Sequence, residues 1–398
     1  MAINKNSFAF TVYLGGLGIL PPLSIDMGLP ALSSIATSLH TTPGMSALTL
    51  SLFLAGFAVA PIVGGPCADR FGRRPVLLCG CLLFALAAIA CTFAPTIEIL
   101  LAFRLIQGIG AGAAAVLSMV VVRDLFEGNE ARARLSYVSI LRSLGPMIAP
   151  TIGAWLLTFS NWRWIYGLLA FAGVVLLIVT ERGFAESAKH DRVPFTLSAL
   201  KASYAEVISH RVSFGYAAVN ALVFGGMFAY VSNSPLLMIQ SFGLSNQMFG
   251  YLFAGTAMGI MLGAFVNGKL SERNIAHTKP LFAGLLLACI ATTVNVALTL
   301  LGLAAPWTLL PCLFLYTFSA GLIASNCTHG CLHPMPRIAG VASAVLTFTQ
   351  MVVGAVSSAI VAFLYNGSAL AMTGIMAAFI YSAAAVYFLC VRPAEKKC

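Results

Sequence analysis

The sequence predicts an all-α integral membrane protein with twelve transmembrane helices, arranged as two six-helix bundles about a pseudo-two-fold axis along the membrane normal. Three observations carry this expectation. Of 398 residues, 60% are apolar and only 9% charged, and the mean hydropathy is +0.94, far from the composition of soluble domains. Apolar segments of about 20 residues, enough to cross roughly 30 Å of hydrocarbon, recur along the whole chain. The loop after the second segment, Gly65-Pro-Cys-Ala-Asp69-Arg70, returns after the eighth as Gly268-Lys-Leu-Ser-Glu272-Arg273. Matching loops in two halves imply duplicated bundles with a cavity between them at mid-membrane.

Taken in order, spans are expected near 8–32, 46–66, 76–94, 97–122, 135–158 and 162–181, then near 212–232, 246–268, 281–301, 306–327, 339–364 and 368–391. The first lacks a basic leader and a small-residue cleavage site, so it reads as a retained span. The division expected is an N-terminal bundle over 1–181, a cytoplasmic linker over 182–211, and a C-terminal bundle with a short tail over 212–398. Lys and Arg mark the loops that stay cytoplasmic. Nineteen of the 22 lie at the N-terminus, in alternate loops or in the tail, leaving Arg163 in an opposite loop and Arg104 and Arg142 inside spans. Both termini are therefore expected in the cytoplasm, and the protein in the cell inner membrane. The net charge of +10 follows from topology, with no single basic patch to suggest a nucleic-acid partner.

Within span 1, Asp26 is the only Asp, Glu, Lys or Arg between Ser7 and Leu39. Arg104 lies at a matching depth in span 4, about seven residues from the outer side at ~1.5 Å per residue, so an ion pair is feasible. Such charges normally face a bundle interior or a wet cavity on an ion pathway. Two readings stay open: a permanent pair that holds helices together, or a proton-coupling switch in which helix movement changes the protonation of Asp26.

The loop after span 2 combines Gly65, Asp69, Arg70, Gly72, Arg73, Arg74 and Pro75. Its glycines and proline suggest a defined tight turn, with Asp69 placed to sit against a helix N-terminus. Span 5 concentrates Gly145, Pro146, Pro150 and Gly153, residues that bend helices and permit close backbone approach, so a hinge or tight seam is expected.

These stretches resemble a known family. The run from Gly65 to Pro75 is similar to the loop signature of the major facilitator superfamily, in the form found in the Bcr/CflA subgroup of drug:proton antiporters, which covers bicyclomycin and chloramphenicol resistance. The stretch from Leu100 to Ala111, with Arg104 and Gln107, resembles the span 4 motif of proton-coupled members. Gly145 to Ala154 resembles the span 5 antiporter motif, and Ser24 to Leu32 the span 1 signature of the subgroup. The resemblance implies a conformational latch in the loop after span 2, proton coupling through Asp26 and Arg104, and an antiporter seam in span 5. Ala149 and Ala154 stand where that motif prefers glycine, which implies looser packing there.

Candidate substrate-cavity residues are Gln107, Arg142, Asn220, Phe224, Phe228, Tyr230, Tyr316, Phe348 and Gln350, which mix aromatic surface with a few polar groups. Arg142 either meets an anionic group on a substrate or snorkels to the inner surface. Cys327, His329, Cys331 and His333 alternate in the loop expected after span 10, a spacing unlike that of tetrahedral zinc sites, and no metal is expected. The chain shows no H-E-x-x-H, G-x-S-x-G or phosphate-binding loop, so no enzyme is expected. The function expected is proton-coupled efflux of small amphipathic drugs by a monomer, with the proton gradient as energy source and no cofactor. Its partners are a small-molecule substrate, protons and the lipid bilayer. The alternative is export of an endogenous metabolite such as a siderophore or amino acid.

Overall fold

A computed structural model describes residues 3–5, 7–187 and 197–395; part of the expected linker, 188–196, lies outside the described residues. Among the described residues, twelve helices are long and apolar enough to cross a membrane. We label them α1 Phe8–Ser38, α2 Pro43–Phe71, α3 Arg73–Thr92, α4 Ile97–Leu125, α5 Gly128–Phe159, α6 Arg163–Gly183, α7 Arg211–Ser241, α8 Asn246–Glu272, α9 Thr278–Leu300, α10 Pro306–Leu332, α11 Pro336–Leu364 and α12 Leu370–Glu395. A shorter helix, Leu197–Ser209, precedes α7. The chain divides into two compact units, Met1–Thr41 with Leu52–Leu197, and Thr42–Ser51 with Ser198–Cys398.

Local chemistry starts several of these helices. The side chains of Ser7 and Ser245 accept from the amides of Phe10 at 3.3 Å and Met248 at 3.2 Å, serving donors that the first helical turn leaves unpaired. Helix α1 is not uniform. Its α-helical part ends at Asp26, a 3-10 turn covers Leu29–Ala31, and a further helix runs Leu32–Ser38. Helix α7 widens to a π-helix over Leu236–Ser241, directly after Pro235.

Several expected boundaries move: span 1 runs on from 32 to Ser38 and span 7 from 232 to Ser241, and two further shifts involve polar sequence. Helix α5 starts at Gly128, about two turns before the apolar run, because Arg134 pairs with Glu130 at 3.5 Å and donates to the Ser7 carbonyl at 3.0 Å. Helix α10 continues to Leu332, so the Cys/His stretch is helical rather than an extended loop. Residues four apart share a helix face, and Cys327 and Cys331 are both fully buried, while the His329 and His333 rings pack at a tilt with centroids 5.1 Å apart. Among the described residues no group of three or more His, Cys, Asp or Glu is placed to hold a metal ion.

Glycine seams order the first unit around α4. A Cβ on Gly108 would overlap the Phe53 carbonyl oxygen of α2, and one on Gly56 would overlap the Leu105 carbonyl oxygen of α4. On the α3 side, a Cβ on Gly110 would lie 2.6 Å from the Gly80 carbonyl oxygen. The second unit repeats the device between α8 and α10, where Gly321 meets the Ile260 carbonyl and Gly263 the Phe318 carbonyl. Without an apolar solvent penalty to drive them together, membrane helices associate through such close packing. Large apolar side chains such as Trp155, Phe159, Phe171 and Phe265 are left exposed, as a surface bathed in lipid tails requires.

Candidate functional site

The close approach of α4 to α2 places Arg104, one turn before Gly108, in the interior of the first unit. Its side chain is buried. Nη1 donates to Gln107 Oε1 at 2.7 Å and Nη2 to the Ser24 carbonyl at 3.0 Å, while the guanidinium lies 4.4 Å from the Phe53 ring centroid and 5.7 Å from that of Tyr166. The arginine is thus held by a carbonyl, an amide and two aromatic faces. Gln107 Nε2 and Ser24 Oγ are buried without a partner, so the cluster keeps unused hydrogen-bonding capacity.

Asp26 is also buried, at 5% exposure. The ion pair with Arg104 that matched depth makes feasible is not formed in this structure: Asp26 has no hydrogen-bond or ion-pair partner among the described residues. The reason is helical geometry. Two residues along an α-helix turn the side chain by about 200°, so when Arg104 reaches the Ser24 side of α1, the Asp26 carboxylate leaves from the other.

That end of α1 is packed against α5. Gly145 fits over Pro22, where a Cβ would lie 2.7 Å from the proline ring, and Gly153 meets the backbone of Met27. Ala149 and Ala154 are fully buried, so the looser packing implied by their replacing glycine is not seen. Pro146 and Pro150 sit inside α5 without breaking it.

The loop after α2 is a single residue. Gly72 takes φ +103°, a conformation that glycine adopts without steric cost, and α3 starts at Arg73. The Arg73 guanidinium binds Asp69 Oδ1 at 2.5 Å and Asp124 Oδ2 at 2.8 Å. Asp69 was expected at a helix N-terminus; that place is taken by Glu186, whose carboxylate accepts from the amides of Arg73 at 2.8 Å and Arg74 at 3.1 Å. Asp69 is instead engaged by the arginine one turn ahead. Arg74 Nη2 donates to the Glu181 carbonyl at 2.6 Å, and Arg70 lies 5.3 Å over Phe71. Gly65 has open space around it. Asp124 and Glu186 are the residues that sequence reasoning missed.

The cavity candidates separate. Tyr316 is fully buried and donates to the Val223 carbonyl at 2.7 Å, and the Tyr230 hydroxyl meets Thr256 Oγ1 at 2.7 Å, so both hydroxyls are engaged inside the second unit. Phe224 and Phe228 pack on each other at 4.6 Å, and Asn220 is buried. Phe348 and Gln350 are half-buried, and Arg142 is exposed.

With this geometry in hand, the sequence matches the profile of the Major Facilitator Superfamily over residues 14–358. The chain belongs to the Major Facilitator Superfamily. Among relatives, it is 32% identical to the uncharacterized MFS-type transporter YdgK of Bacillus subtilis, over 90% of this chain and 89% of that one. It is 29% identical to the bicyclomycin resistance protein homolog of Haemophilus influenzae, over 98% of both chains, and 27% identical to multidrug resistance protein D of Escherichia coli, over 91% and 89%. A bacterial homolog of the human lysosomal transporter Spinster shares the fold, with TM-score 0.75 and 15% identity over 99% of this chain and 98% of that one. A D-xylose-proton symporter gives 0.73 and 14% over 96% and 98%. As a Major Facilitator Superfamily member the protein is a multi-pass membrane transporter and not an enzyme.

Proposed function

We propose that the protein exports small amphipathic drugs across the cell inner membrane in exchange for protons, with both termini in the cytoplasm and Asp26 as the proton carrier. Similarity to bicyclomycin and multidrug resistance proteins supports drug efflux, with bicyclomycin or phenicol-like compounds as first candidates. The observation that carries proton coupling is Asp26, a buried carboxylate without a partner. A carboxylate anion in such a place is costly, and the neutral acid is the species it accommodates at least cost. Proton binding and release at Asp26 then require its surroundings to change between transport states. Arg104 is the charge near enough to matter: its present hold on the Ser24 carbonyl, two residues away, is the contact to exchange when the carboxylate ionises.

Asp26→Asn mimics the neutral acid permanently. It should abolish uphill export driven by an imposed pH gradient in reconstituted vesicles, while folded protein stays in the membrane and downhill exchange persists. Wild-type accumulation ratios in this variant would remove Asp26 from the proton path.

A further inference from the structure

Helix α5 carries a charge that the proton site does not use. With about 100° per residue, the large apolar side chains that α5 exposes, among them Tyr137, Ile148, Trp155 and Phe159, form one stripe, the lipid-facing side. Val138, Gly145 and Ala149 are buried and mark the face packed on α1. Arg142 falls on the edge of that packed face, about 130° from the centre of the apolar stripe. Its side chain is exposed, and it makes no hydrogen bond, ion pair or ring contact among the described residues. Next to it on the same side lie Ser139 and Ser143, both exposed.

Depth alone would let a long side chain reach the inner surface, but snorkelling serves a residue that faces lipid. Arg142 does not. A charged residue within a span that avoids lipid faces the bundle interior or a wet cavity; Arg142 is exposed, which favours the cavity, and a guanidinium there, without an internal partner, presents a planar fork that matches a carboxylate. Ser143 Oγ donates to the Ser139 carbonyl at 2.9 Å, so it offers only lone pairs. The Ser139 hydroxyl, three residues from Arg142, has no partner among the described residues and supplies a second donor on the same side.

The proton carrier is out of reach. Gly145 lies over Pro22 and Gly153 over Met27, so α1 and α5 run side by side in the same direction. Arg142 is three residues before Gly145 and Asp26 four residues beyond Pro22, which puts the two about 10 Å apart along the axis, and no ion pair joins them among the described residues.

We propose that Arg142, with the Ser139 hydroxyl, is an anion subsite that receives the carboxylate of an amphipathic organic acid. The substrate class then includes organic acids. Its role in transport rests on the export reading above, but its binding is measured without transport.

The experiment is isothermal titration of the purified protein with salicylate, 1-naphthoate and 4-phenylbenzoate, each paired with its primary amide. A charge-assisted hydrogen bond is expected to favour an acid over its amide by about ten-fold or more. Arg142→Ala and Arg142→Gln should bring that ratio to about one, Arg142→Lys should retain part of it, and Ser139→Ala should lower it a few-fold. Size-exclusion profiles check that each variant is folded. The proposal is overturned if wild-type protein prefers none of the acids, or if the preference survives in Arg142→Ala. Protonophore-sensitive efflux is measured separately: an intact, Arg142-dependent ratio without such efflux strikes the export reading and leaves the subsite standing.

Discussion

Arg73 is held by three carboxylates: Asp69 and Asp124 on its guanidinium, and Glu186 on its own amide. The sequence singled out Asp69 but set it against a helix N-terminus and not on Arg73, one helical turn ahead, whereas Asp124 and Glu186 lie 51 and 113 residues away and carry no local signal. Glu186 also explains Gly72 further. A Cβ there would lie 2.5 Å from Glu186 Oε2, so the glycine provides both the positive φ and the seat for the carboxylate. Loss of a side-chain cap costs roughly 1 kcal/mol, or about 2 to 4 °C in a unit of this size. Glu186→Ala should lower the thermal midpoint by that amount and slow maximal export more than it weakens drug binding. Glu186→Gln, which still accepts hydrogen bonds, should fall between. In a double-mutant cycle, Gly72→Ala should cost less once Glu186 is truncated; strict additivity of the two would show that they do not meet.

At the scale of helices, the seams carry the internal repeat more clearly than the loops do. The loop copy after α8 keeps Gly268 and an acid, but its left-handed residue is Asn274, φ +55°, in place of glycine. The seams instead keep the same reciprocal contact, glycine against carbonyl, in α2–α4 and α8–α10. Sequence reading recognised Gly108 and Gly110 as parts of a motif but not their partners, since a close approach depends on which helices meet. Overpacking costs typically 1 to 3 kcal/mol. Gly108→Val and Gly321→Val should therefore sharply reduce the yield of folded protein from detergent, judged by size exclusion. Gly64→Val and Gly255→Val, on the same helices α2 and α8 but with open space around the glycine, should be tolerated; equal losses at all four would argue that helix propensity rather than the seam decides.

Over the whole molecule, hydropathy located all twelve spans because lipid selects apolar surface directly, and it failed where helices continue into polar sequence, as at Gly128 and Leu332. The same logic underlies the proposed orientation. The lone basic residue of the opposite loops, Arg163, is engaged with the Ala94 carbonyl at 2.9 Å and stacked 4.3 Å over Trp162, so it acts locally instead of competing with the cytoplasmic excess. A green fluorescent protein fused after residue 398 should fluoresce, and alkaline phosphatase inserted at Gly302, between α9 and α10, should be active; the reverse pattern would invert the topology. The glycine seams have a mechanical consequence. Where backbone rests on backbone there are no intervening side chains to bend, and a helix can slip past its neighbour only by a whole turn, about 5.4 Å. Helices α2 with α4, and α8 with α10, are therefore stiff girders. Spin labels placed across either pair would report one narrow distance through every stage of loading and release, and the flexing that moves cargo must be sought in the remaining joints.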